Sequence, residues 1–102
     1  MNDVRDTNFY MANLGSELIR MISARDKGDK TSSLSSAERC LSLIEKALDT
    51  AKSHLHRQEI SILKDIVEDA VSETEHKYSI TKKEVESYFY PFALRFMKQR
   101  QE

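Results

Sequence analysis

Two glycines and one proline are all that punctuate 102 residues, and that poverty of turn formers restricts the chain more than any other feature. A β-sandwich or barrel needs a turn roughly every 8–12 residues, which argues against those architectures and leaves helices joined by few loops. The single proline, Pro91, lies in Ile80–Met97 (ITKKEVESYFYPFALRFM), which also holds five of the eight aromatic residues. Thr81 and Glu84 at its start have the spacing of a capping box, in which each side chain satisfies the other's backbone N–H, with Ile80 and Val85 at the staple positions. A helix from Lys82 places Val85, Tyr88, Phe89, Phe92 and Phe96 on one face. Tyr90, Leu94 and Met97 fall on another side, so this helix is apolar on two sides and calls for two partners. Pro91 lacks a donor and crowds the carbonyl of Ser87, which predicts a kink or a break at that point.

The remaining segments repeat the helical period. Thr7 or Asn8 can cap a first helix to about Lys27, after a frayed Met1–Asp6. Met11, Leu14, Leu18, Met21 and Ile22 form its stripe, and Gly15 beside them is either a tolerated glycine or the site of a close helix crossing. Gly28 suits a C-terminal cap, and Asp29–Ser36 reads as a loop. Ser35 with Glu38 offers a second capping box, followed by the seam Leu41, Ile44, Leu48, Ala51 and Leu55. Continued onward, that seam demands apolar residues at Gln58 and Asp65, so the helix should end or bend between Ser53 and Gln58. A third helix follows with Ile60, Ile62, Leu63, Ile66, Val67, Ala70 and Val71, an arc of about half its circumference against the ~100° of an ordinary surface helix. The expectation is one domain over residues 1–102: an all-α, antiparallel four-helix bundle with helices near 7–27, 36–54, 57–76 and 82–100.

Charge and cysteine content bound the functional classes. A net charge of −1 gives no bulk attraction to nucleic acid or anionic lipid. One cysteine excludes an intrachain disulfide and fits a reducing compartment. No apolar run approaches the ~18 residues of a membrane span, and the first residues lack a signal-peptide core, so a soluble cytoplasmic protein is expected. Charges segregate along the chain: His54–His76 carries six acidic and two basic residues, whereas Lys77–Glu102 carries six basic and three acidic. Neighbouring antiparallel helices of opposite charge would pair.

No spacing specifies a reaction. Glu73 and His76 have the i, i+3 separation of di-iron bundles, but the motif occurs once and such sites need two with two further glutamates. His54 and His56 are about 200° apart on a regular helix and cannot share a ligand, and near a helix end they would meet its last carbonyls. Cys40 belongs with the apolar residues, where a thiol is inert. Asp65 and Asp69 are an i, i+4 carboxylate pair that would need a desolvating pocket to act as acid and base. Phosphate-binding loops, serine elbows and zinc spacings are absent from the sequence. The reading is therefore non-enzymatic, without catalytic residue, cofactor or metal. The surplus apolar sides predict a homodimer or a helical protein partner through Ile62, Ile66, Tyr90, Leu94 and Met97. The alternative is a small nucleic-acid-associated regulator using Arg95, Lys98 and Arg100 on the basic last helix.

Overall fold

The computed structural model describes residues 6–71 and 81–101, with side chains to residue 91. The described residues form four helices, α1 Thr7–Asp26, α2 Lys30–Thr50, α3 His54–Ala70 and α4 Lys82–Gln101, arranged as an antiparallel bundle. The predicted all-α class and helix number hold, while several boundaries differ for identifiable local reasons.

Asp6 caps α1 by accepting from the N–H of Phe9 at 3.1 Å, so residue 6 is ordered rather than frayed. Thr7, one of the expected caps, instead shares a 2.9 Å hydroxyl hydrogen bond with Thr50 at the far end of α2. The expected stripe is buried throughout: Met11, Leu14, Leu18, Met21 and Ile22 have almost no exposed surface. Gly28 terminates α1, as predicted, with φ +78°. Its N–H reaches Arg25 O at 3.0 Å and that of Asp29 reaches Ala24 O at 2.8 Å, the paired bonds of a Schellman ending.

The loop expected over Asp29–Ser36 is a correction: α2 begins at Lys30, because the Asp29 carboxylate accepts from the N–H of Ser32 at 3.1 Å and supplies the cap six residues before Ser35. Serines usually favour turns, but here Ser33 and Ser36 face α1, and Ser33 Oγ donates to Met21 O at 3.4 Å. The α2 face turned inward is Ser33, Ser36, Ala37, Cys40, Ile44 and Ala47. Of the expected seam only Ile44 is fully buried; Leu41, Leu48 and Ala51 lie at its edge and Leu55 is 75% exposed. Small residues win the central positions because they let α1 and α2 approach closely.

The break falls at Ala51–Ser53, ahead of the expected window and sharing only Ser53 with it. Ser53 accepts from the N–H of His56 at 3.1 Å and starts α3 at His54, three residues before the predicted Arg57. Arg57 then donates to Leu48 O at 3.2 Å, closing a carbonyl of the last turn of α2. α3 ends at Ala70 with Val71 as its C-cap, short of the predicted residue 76. The Thr81 capping box forms as expected: Glu84 N–H donates to Thr81 Oγ1 and Thr81 N–H to Glu84 Oε1, each at 3.2 Å. Its Ile80 staple partner lies outside the described residues. α4 is continuous through Pro91, so the alternative of two separate helices is corrected. Both Pro91 and Ser87 are exposed, and solvent can take the carbonyl that the missing donor leaves.

α1 packs along α2 and α4, and α2 also packs on α3. The core draws on all four helices, with Val85 and Phe89 contributed by α4. Phe89 lies directly over Gly15, so this glycine marks a close helix crossing. Between α3 and α4 the bundle opens into a cleft.

Candidate functional site

The cleft is built by Glu59, Ile62, Leu63 and Ile66 of α3, at i, i+3, i+4 and i+7, opposite Glu84, Val85, Tyr88 and Phe89 of α4. That spacing turns one face of α3 toward α4. Leu63, Val85 and Phe89 form its buried floor; Ile66 is half-buried, and Ile62 at the lip is 54% exposed. The space between the two walls is about 370 Å³. Across it the Tyr88 hydroxyl donates to Glu59 Oε1, and the Tyr88 ring meets Phe89 edge-on with centroids 4.9 Å apart. Burial first, and then the Glu59 carboxylate, raise the Tyr88 pKa above its ordinary value, so the phenol stays a donor at neutral pH.

The structure brings together two of the five residues expected at the interface, Ile62 and Ile66. Tyr90 is 62% exposed, but it follows Tyr88 by two residues and therefore points about 200° away from the cleft side of α4. It does not join Ile62 and Ile66 in one patch. Leu94 and Met97, with Arg95, Lys98 and Arg100 of the nucleic-acid alternative, lie in the last half of α4, where only the backbone is described. Phe92 and Phe96 share that stretch.

The other constellations do not converge. Among the described residues no cluster of three metal-ligating side chains forms. Glu73 and His76 lie outside them. His54 and His56 are exposed in the first turn of α3, beside free N–H groups rather than the carbonyls expected for them. Asp65 is exposed and Asp69 half-buried, and neither borders the cleft. Cys40 is fully buried, as expected; burial, reinforced by the nearby Glu17 charge, pushes its thiol up to about 12.

One arrangement has no counterpart in the sequence reading. Glu17 is only 9% exposed, and its carboxylate is held from both sides, by Arg20 Nη1 at 2.7 Å and Arg39 Nε at 3.0 Å. The i, i+3 spacing of Glu17 and Arg20 is a local signal. The Arg39 partnership needs the register of α1 on α2, which no single-helix pattern supplies.

No protein-family model, curated protein or solved structure matches the chain. Among the described residues no helix is long and apolar enough to cross a membrane.

Proposed function

We propose that this protein is a non-enzymatic helical bundle that acts by binding protein, through self-association or an amphipathic partner helix, at the cleft between α3 and α4. The observation that carries this reading is the apolar lining of that cleft beneath an exposed Ile62, a place for an apolar side chain from another molecule. Glu59 and Glu84 border it, so an occupant with Lys or Arg beside its apolar face is favoured. A second copy fits that description, because the last part of α4 carries Leu94 and Met97 among Arg95, Lys98 and Arg100. A cytoplasmic location belongs to the same proposal, supported by a cysteine content of one, with that cysteine buried.

Light scattering across a dilution series tests it directly. Mass should fall from dimer toward monomer on dilution, and Ile62→Glu should leave a monomer at every concentration with an unchanged helical spectrum. Ile62 is exposed, so the variant removes the docking surface without opening the core. Wild type that stays monomeric moves the reading to a partner helix, measured with a labelled basic amphipathic peptide. A peptide that binds wild type and Ile62→Glu alike would end it.

A further inference from the structure

A second groove runs along the opposite pair of helices, between α1 and α2. Asn13, Ser16, Glu17 and Arg20 line one wall, and Arg39, Ser42, Leu43 and Lys46 the other. Each wall uses positions i, i+3, i+4 and i+7, and the space between is about 400 Å³. Seven of the eight side chains are polar. Three are cationic and one is anionic, so the lining carries a net charge of +2 (three minus one).

The one anion is already satisfied. Each Glu17 oxygen accepts from a different guanidinium, at 2.7 and 3.0 Å, and Arg39 is fixed further by donating to Ser36 Oγ at 3.1 Å. A guanidinium has five N–H donors, and these bonds occupy one on Arg20 and two on Arg39. Donors beyond those bonds remain on side chains that are 66% and 54% exposed. Glu17 thus orients two arginines in advance, which removes much of the entropy cost of ordering them around a ligand. A clamp joining α1 to α2 accounts for Glu17, Arg20 and Arg39. It does not account for a groove that continues past them to Ser42 and Lys46.

Lys46 stands seven residues beyond Arg39 on α2, about 10 Å along the helix axis. A single phosphate at the arginines therefore does not also meet the lysine end. We propose that this groove binds a small oligophosphate, either an inorganic chain or the phosphate tail of a nucleotide. Its terminal phosphate would take the N–H groups of Arg20 and Arg39 in charge-assisted hydrogen bonds, and the following phosphates would reach toward Ser42 and Lys46.

Titration calorimetry at constant ionic strength, with inorganic triphosphate, orthophosphate and sulfate as probes, tests the inference. Triphosphate should saturate at one equivalent per chain and bind at least about tenfold more tightly than orthophosphate or sulfate. Lys46→Gln leaves the Glu17 clamp intact and should weaken triphosphate about fivefold or more, with orthophosphate unchanged. Lys52→Gln, an exposed lysine outside the groove, is the control and should change neither. Triphosphate no tighter than sulfate, or equal losses in the two lysine variants, would overturn the proposal as mere charge screening. An ATP arm identifies the source: tighter binding than triphosphate marks a nucleotide, weaker binding marks the inorganic chain, and both support the oligophosphate site.

Discussion

Gly15→Ala is the sharpest probe of how α4 is seated. In an open helix interior this change stabilises by up to about 1 kcal/mol, because glycine carries the larger backbone entropy cost. At Gly15 the added Cβ would stand 2.7 Å from Phe89 Cβ and 2.8 Å from its Cγ, closer than carbon atoms tolerate. The nearest obstructing atom is a Cβ, whose position follows the backbone, so no rotamer change at Phe89 relieves the clash and α4 itself must shift. Overpacking costs about 1–3 kcal/mol, and a rigid obstruction belongs at the upper end. Subtracting the propensity gain leaves a net loss of about 2 kcal/mol. For a domain of this size each kcal/mol moves the thermal midpoint by about 4–8 °C. Urea denaturation of the two proteins, with equal slopes to confirm a common two-state transition, measures the difference. A Gly15→Ala protein more stable than wild type would refute the close seating of Phe89 on α1.

Two further predictions concern titrating groups. The Ser32 hydroxyl and backbone N–H hold the Asp29 carboxyl below the ordinary aspartate value of 3.8. A lowered folded pKa stabilises above the unfolded value and is lost as pH falls through the folded one. Wild type should therefore melt above Asp29→Ala at pH 7, and the gap should shrink as pH drops below 3.8; a gap that is unchanged at pH 2 contradicts the cap. Cys40 shows the opposite displacement, from 9.0 to about 12, so its protonated burial stabilises fully below pH 9.0 and progressively less above it. Wild-type urea stability should fall relative to Cys40→Ala by up to about 1.4 kcal/mol per pH unit across that window. Tyr88 is common to both proteins and cancels in the comparison; a pH-independent difference would show Cys40 ionising as readily when folded as when unfolded.

The features legible in the sequence were those decided within one helix. The α1 stripe, the Gly28 ending and the Thr81–Glu84 box follow from 3.6-residue periodicity and local hydrogen bonding, and each stands where expected. The start of α2 falls earlier than Ser35 because the serine-rich stretch after Gly28 has loop composition yet is helical once Asp29 caps it and Ser33 and Ser36 are buried. The seam of α2 is displaced from the one its 3-4 spacing predicts, since large Leu41 and Leu48 yield the centre to Ala37, Cys40 and Ala47. At the cleft, the wide apolar arc of α3 places Ile62 and Ile66 on the face turned toward α4. Its pairing with Tyr88, and the Glu17–Arg39 pair across α1 and α2, arise only from the register between helices.

The two grooves show how one architecture yields opposite surfaces. Each lies between neighbouring helices, and each is walled on at least one side by positions i, i+3, i+4 and i+7. On α3 those positions read Glu59, Ile62, Leu63, Ile66; on α1 they read Asn13, Ser16, Glu17, Arg20. The backbone supplies the shape in both, so the chemistry is set by side chains that a few substitutions would exchange. Added sodium sulfate consequently separates the two functions: it screens a charged ligand from Arg20, Arg39 and Lys46, while strengthening the burial of apolar surface at Ile62. Association through the cleft that weakened with sulfate as steeply as triphosphate binding would mean that Glu59 and Glu84, rather than the apolar floor, hold the partner.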